Sequence, residues 1–370
     1  MHLPMTENLA VSAILTPLAN HLNSGTIKPH LVEYRGAMTP QHLDAPALET
    51  AALAKGAAVH DLGWTRRVSL RGEDRLRWLS GMVTNTVNDI PENGGAWNLV
   101  LNAQGRIQGD LTVWRNGESL ELEIAADQYE KLMAHFDHFI IMDDVELVRH
   151  DVAAETAVGL TGPKAGEVLV RMGLSAPSES MTSLRCEWNG FDLIIRRAFG
   201  TLAQHFEIYT TIPGLTTLWR ALSTAGAVPV GAAALESFRV AEGIPAYGID
   251  IAERDLPQET SQTRALHFNK GCYLGQEIVE RIRSRGNVHR HLRQLELDRL
   301  EGPLPQAGTE LFLDGVAAGQ ITSSAELSLD SGKRRFALAM IRNEAEMKNQ
   351  PLAYAENCGT ARILAQPPAL

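Results

Sequence analysis

The 370 residues exceed what a single hydrophobic core usually organises, so two or three compact units are expected. With 44% hydrophobic and 21% charged residues and no polar low-complexity tract, the composition argues against disorder beyond the ends. A formal net charge of -10 excludes a general nucleic-acid coat, which neutralises phosphates with a basic excess.

The opening MHLPMTENLAVSAILTPLANHL has no basic stretch joined to an uninterrupted apolar core, and no later segment reaches a spanning length of apolar residues. A cytoplasmic protein without membrane attachment is the expectation. Residues 1–46 carry Pro4, Pro17, Pro29, Pro40 and Pro46 and read as an N-terminal arm of turns and extended pieces wrapped around the body. The Ala/Leu-rich run Ala47 to Lys55 has helical spacing and Gly56 to end it. Residues 58–62 and 67–70 read as strands, and Gly72-Glu73-Asp74 introduces Leu76, Leu79 and Val83 on one helical face.

Two β-rich runs around a glycine turn, Trp97 to Leu101 and Ile107 to Trp114, read as a hairpin. Asp127-x-x-Glu130 has capping-box spacing ahead of Leu132, Phe136, Phe139 and Ile140. A strand, a glycine turn and a helix return in residues 158–173, offset by about ninety residues from the first set. This weak repeat predicts two related α+β lobes, roughly 47–150 and 151–285, with a ligand cleft where they meet. Strands around Phe191 to Ile195 and Phe206 to Tyr209 follow, then a helix with Leu215, Leu218, Trp219 and Leu222 on one face. Ala233 to Glu242 reads as a helix stopped by Gly243 and Pro245.

The stretch from Phe268 to Arg293, FNKGCYLGQEIVERIRSRGNVHRHLR, alone combines a cysteine, a lysine, glycines and adjacent polar side chains. If Lys270-Gly271-Cys272 is extended, both side chains share a face, and the ammonium favours the thiolate. A helix opened by Gly275-Gln276-Glu277 would add a second lowering effect on the thiol. The bland alternative is a buried small hydrophobe at Cys272 and a solvated charge at Lys270. The basic run Arg281, Arg283, Arg285, Arg290 and Arg293, with His289 and His291, would be a positive surface, its first three members on one side if the chain is extended. Local runs of this size are often merely solvated. Cys186, Cys272 and Cys358 are an odd count with no CxxC pair; the spacing suits a reducing compartment and predicts no metal ligands. Beyond Arg293, short alternating runs at Leu295 to Leu297, Leu311 to Leu313, Phe336 to Ile341 and Arg362 to Leu364 favour a small β-barrel or sandwich over residues 286–370.

Lys270-Gly271-Cys272-Tyr273-x-Gly275-Gln276-Glu277, followed by Arg281, resembles the signature of the YgfZ family, folate-binding proteins that support iron–sulfur cluster enzymes. That family is similar in fold to the T-protein of the glycine cleavage system, a tetrahydrofolate-dependent aminomethyltransferase. The resemblance runs through most of the chain: Leu15-Thr16-Pro17-Leu18 with His21 is similar to the start of T-proteins, and Gly319-Gln320-Ile321-Thr322-Ser323 to a strand of their C-terminal barrel. It implies an α+β, multi-lobed T-protein-like fold, with a folate-binding region over 47–285 and a barrel after it.

The resemblance also implies a site for tetrahydrofolate or a one-carbon derivative. A pterin needs a carboxylate acceptor, apolar or aromatic faces and cations for the glutamate tail. Arg239-Val240-Ala241-Glu242-Gly243 and Tyr247-Gly248 are similar to the T-protein segment whose glutamate holds the pterin, except that Ala241 stands at the family's position and Glu242 is displaced by one. The alternative for Glu242 is an exposed helix-end acid. Asn102 and Asp110 fall where T-proteins have an asparagine and a pair of aspartates; here the pair is Gly109-Asp110, which argues against aminomethyl transfer. The functional expectation is a folate-binding protein, not necessarily a conventional enzyme, that assists assembly or repair of clusters in iron–sulfur client enzymes, including those that modify tRNA. Cys272, tuned by Lys270, would be its reactive group at the rim of the pterin pocket. Client enzymes or assembly factors would be the partners, with direct RNA contact secondary. The rivals are an aminomethyltransferase working with a lipoyl carrier protein and a folate-dependent demethylase.

Overall fold

The computed structural model describes residues 14–25, 28–286, 288–329, 332–354 and 359–370. The start of the predicted arm and Cys358 lie outside the described residues, as does the side chain of Arg285.

One supersecondary unit occurs twice. Strand Thr65–Arg71 leads through Gly72 into helix Arg75–Met82, and then into strands Gly95–Leu101, Ile107–Asn116 and Ser119–Ala125. In space the three later strands lie in sequence order, and Thr65–Arg71 pairs with the last of them. Strand Glu155–Gly162, helix Ala165–Arg171, and strands Thr182–Trp188, Phe191–Ala198 and Gln204–Thr211 repeat that order and pairing. Glu146–Arg149 completes the first sheet at five strands. Ala58–Asp61 and Val228–Pro229 complete the second at six. Ala58–Asp61 therefore joins the later sheet although it precedes the earlier one. Residue 150 is not a clean cut between lobes, because this fully buried strand finds its antiparallel partner in Val158 to Thr161.

Period-two alternation gives each sheet two chemically different faces. On Ser119–Ala125, Leu120, Leu122 and Ile124 join Trp78, Leu132 and Phe136 in an apolar core under the helices, while Glu121 and Glu123 point the other way. On Gln204–Thr211, Phe206 and Ile208 do the same beneath helices Ala165–Arg171 and Ile212–Thr224. The second faces meet across a buried polar seam. Arg67 pairs with Glu121 and, at 2.7 Å, with Glu155. Arg196 pairs with Glu121 and, at 2.7 Å, with Glu123, and both guanidinium groups lie over the Tyr209 ring, at 4.6 and 4.7 Å.

The third unit is a closed barrel of Arg290–Leu297, Gly332–Arg342, Val316–Leu329, Glu310–Leu313, Leu352–Tyr354 and Gly359–Ile363. A central core joins the units: Leu53, Trp97, Phe238 and Tyr273 come from four separate segments, and Leu292 and Phe336 from the barrel wall. The fold is thus α+β, multi-lobed and barrel-ended.

Two local readings change. Helix Ala126–Phe139 is present, but Ala125 occupies its N-cap without a side-chain bond. The preceding strand runs straight into it, Ala125 still pairing with Thr65, so Asp127 falls inside the first turn and Glu130 pairs with Arg149 at 2.8 Å. Arg281 and Arg283 sit on helix Gln276–Arg285, where a separation of two residues turns them away from the shared side that an extended chain would give. Among the described residues no helix is long and apolar enough to cross a membrane.

Candidate functional site

Helix Ala232–Glu242 ends at Gly243, whose left-handed φ of 71° turns the chain away. Around this end, residues 199–201, 261–264, barrel strand Arg290–Leu297 and the C-terminal segment 364–367 enclose a cavity of about 440 Å³, within the range of small-molecule sites. Its walls mix apolar Phe199, Leu292 and Leu338 with polar Glu242, Gln262 and Arg264.

Glu242 is buried. Its Oε1 accepts hydrogen bonds from the Thr201 and Leu202 amides, both at 3.1 Å. Its Oε2 stands 2.8 Å from His205 Nε2, off the line of a ring N–H hydrogen bond but close enough for an ion pair. Of about four acceptor positions on a carboxylate, one on Oε2 is left for a ligand. Glu242 is therefore a cavity acid and not an exposed helix end, although its displacement by one position has tied most of its capacity to the protein.

Arg264 sits with its guanidinium carbon 4.1 Å from the Trp97 ring centre and 4.0 Å from that of Phe199. Its Nε donates to Gln262 Oε1 at 3.3 Å, and among the described residues no carboxylate forms an ion pair with it. Burial lowers its pKa to about 10, against the upward pull of Asp110 and Glu242. A planar cation clamped between two aromatic faces, with donors to spare, suits recognition of a planar ligand bearing oxygen acceptors.

The other predicted contacts scatter. Asp110 sits behind Trp97: its Oδ2 accepts from Trp97 Nε1 at 2.9 Å and its Oδ1 from Gln128 Nε2 at 2.7 Å. Asn102 closes the hairpin turn, its Oδ1 accepting the amides of Gln104 and Arg106 at 3.0 Å. Arg239 is spent on Glu236, the Ile244 carbonyl and Asp250, the last two at 2.6 Å, while Asp250 also accepts the hydroxyls of Thr322 and Ser323 at 2.6 Å. The Tyr247 hydroxyl accepts from Lys131 Nζ at 2.9 Å. None of these four lines the cavity, because each side chain has found an internal partner first.

The signature loop is a seating device. The Lys270 ammonium donates to the carbonyls of Ser80, Val83 and Asn85 at 2.8, 2.7 and 2.7 Å. Burial lowers its pKa to about 8, while the three acceptors hold the proton on at neutral pH. Tyr273 is buried in the central core, the Leu274 amide donates to Gly81 O at 2.9 Å, and Gln276 Oε1 accepts the Tyr273 amide at 3.3 Å. Gly275, at φ 80°, presses on the turn that Asn102 closes: a Cβ there would meet Asn102 O at 2.5 Å and Gly105 Cα at 3.0 Å. Gly271, Glu277 and Arg281 face solvent.

Cys272 is exposed and does not line the cavity. The expectation of a thiol at the pocket rim is corrected. The loop is not a strand, and the ammonium has spent its three protons on backbone oxygens. The basic run is also largely answered from within: Arg290 pairs with Asp255 and Glu259 at 2.8 and 2.9 Å, His291 and Arg293 pair with Glu346, and Arg283 lies over Phe268 at 4.5 Å.

Sequence reading missed Trp97, Phe199, Arg264 and His205. They come from separate segments, and none sits in a motif that would have signalled it.

The aminomethyltransferase of Rubrobacter xylanophilus is 29% identical over 298 residues, 79% of this chain and 78% of that protein. The aminomethyltransferase of Geobacillus kaustophilus is 26% identical over 84% of this chain and 86% of its own length. The crystal structure of glycine cleavage system aminomethyltransferase T from Bartonella henselae superposes with a TM-score of 0.84 over 97% of this chain and 98% of that one, at 19% identity, a likeness of fold. Residues 30–270 match the GCVT N-terminal domain, well over half of the sequence, and the chain belongs to that family.

Proposed function

We propose that the chain binds tetrahydrofolate, or a one-carbon derivative of it, in the cavity beside Glu242, and that it serves iron–sulfur client enzymes or their assembly factors in the manner of YgfZ-type proteins. The observation that carries the folate reading is the Trp97–Arg264–Phe199 stack beside a buried carboxylate. The residues fit the ligand's chemistry: Glu242 keeps one acceptor position for a ring N–H, Arg264 offers donors, and Phe199, Leu292 and Leu338 offer apolar faces. Bound folate would supply a one-carbon carrier; the chain itself would hold and orient it.

The client role is supported by the KGCYxGQE loop, which is seated by Lys270 on residues 80–85 and by Gly275 on the hairpin turn and leaves Cys272 accessible. Asp110, engaged on both oxygens by Trp97 and Gln128, is a poor candidate for steering protons in aminomethyl transfer. The relatives named aminomethyltransferase keep that activity as the second reading.

Titration with tetrahydrofolate tests the site: wild type binds, and Arg264→Lys, which loses the planar stack, binds about tenfold more weakly. Complementation of cells lacking the protein then separates the two roles. Cys272→Ala should retain folate binding and fail to restore iron–sulfur enzyme activity. Release of methylenetetrahydrofolate from an aminomethyl-lipoyl carrier would instead establish transfer and overturn the client reading.

A further inference from the structure

We infer that His205, backed by Thr161 and His60, is a positioning residue that holds the Glu242 side chain in the cavity wall; only the identity of the ligand rests on the folate reading. The four side chains form one file. Glu242 Oε2 is 2.8 Å from His205 Nε2, His205 Nδ1 is 3.2 Å from Thr161 Oγ1, Thr161 Oγ1 is 3.0 Å from His60 Nε2, and His60 Nδ1 is 3.4 Å from the Asp61 carbonyl. Two glycines make room for the rings: a Cβ on Gly159 would land inside the His60 imidazole, and one on Gly200 would strike His205.

Proton bookkeeping along the file selects one state. The Asp61 carbonyl only accepts, so His60 Nδ1 carries its hydrogen and a neutral His60 presents a bare Nε2. Thr161 must then donate to His60 and accept from His205 Nδ1–H. With that hydrogen fixed, a neutral His205 would leave an unprotonated, electron-rich Nε2 only 2.8 Å from a carboxylate oxygen. An imidazolium removes the clash and forms the ion pair. The pKa values agree in direction. Burial drives His60 down to about 3, keeping it neutral. For His205, burial works against the charge but is outweighed by Glu242, helped by Glu207, and its pKa is raised.

The charged groups facing the pair are few. Glu242 comes from its helix, Glu207 from the strand of His205, the neutral His60 from Ala58–Asp61, and Arg264 acts on Glu242 from across the cavity. With His205 protonated, the Glu242 pair is neutral and Arg264 sets the sign that an arriving ligand meets. Loss of that proton as pH rises removes the partner that fixes Oε2, so Glu242 loses its set orientation and affinity falls through the raised pKa of His205.

Two measurements on the full chain test this. In imidazole nitrogen spectra of the ligand-free protein from pH 5.5 to 9.5, His205 should be doubly protonated at pH 7 and titrate above the ordinary value of about 6.5, and Glu242→Gln should lower its midpoint. Tetrahydrofolate affinity of wild type should fall as pH passes that midpoint, whereas His205→Gln should bind about tenfold more weakly at pH 7, equivalent to about 1.4 kcal/mol, with no slope between pH 6 and 9. A neutral His205 at pH 7, or a His205→Gln variant with the wild-type pH profile, overturns the inference. An imidazolium at His205 in a protein that binds no tetrahydrofolate at any pH supports the inference and sinks the folate reading instead.

Discussion

Two glycines four residues apart in one loop should respond oppositely to the same substitution. Gly275 has a left-handed φ of 80°, and a Cβ there would stand 2.5 Å from Asn102 O and 3.0 Å from Gly105 Cα, backbone atoms of a turn that cannot swing aside. The left-handed conformation costs an alanine about 1–2 kcal/mol, and forcing the loop off the turn adds about 1–3 kcal/mol. Gly275→Ala should therefore destabilise by about 2–5 kcal/mol. Gly271 lies outside the left-handed region, and nothing stands within 4 Å of a Cβ built on it. Gly271→Ala should be neutral or stabilise by up to about 1 kcal/mol, through the lowered entropy of the unfolded chain. Urea unfolding followed by tryptophan fluorescence compares the midpoints. Because separate units need not unfold together, hydrogen exchange of the Leu274 amide, bonded to Gly81 O at 2.9 Å, should report the loop directly and speed up in Gly275→Ala alone. Equal costs at the two glycines, or a Gly275→Ala protein as stable as wild type, would refute the claim that the loop is seated by close backbone approach.

Lys270→Met leaves the carbonyls of Ser80, Val83 and Asn85 without their donor and should cost about 2–4 kcal/mol at neutral pH. Because the folded pKa near 8 lies below the ordinary lysine value, the folded state sheds this proton first, so wild-type stability should climb between pH 8 and about 10 while Lys270→Met stays flat; parallel profiles in a urea series would contradict that. In the seam between the sheets, burial pushes the carboxyls of Glu123 and Glu207 up, and Glu123 is raised further by its neighbour Glu207. A raised carboxyl loses its stabilising proton as pH rises, the reverse of the usual salt-bridged acid. Glu123→Gln, which carries an N–H permanently, should gain stability over wild type from pH 5.5 to pH 9, and an unchanged difference in urea midpoints across that range would count against a shared proton.

Much of the architecture could be read along the chain because its signals are local. Gly243 stops a helix where expected, with φ 71°. The strand–turn–helix recurrence, weak as text, becomes two sheets that share one four-strand pairing order, because alternation fixes which face of each strand is apolar. The site was less legible. Glu242 was named for its neighbours in the sequence, but its place in the cavity depends on residues 201, 202 and 205, which arrive with strand Gln204–Thr211 and the bend before it. Arg239, Tyr247, Asn102 and Asp110 carry suitable chemistry and face partners that no local pattern reveals.

By itself the sequence determined the main helices, the 97–114 hairpin, the small β unit at the end and the glycines that permit tight turns, since periodicity and backbone sterics act within a few residues. Only the tertiary structure decided that Lys270 would spend its charge on the 80–85 turn, that Cys272 would stay outside the cavity, and that Trp97, Phe199 and Arg264 would stack. The physical reason is that a buried charge takes whichever partner the packing brings within about 3 Å, and that partner is set by long-range contacts, not by the residues beside it in the chain.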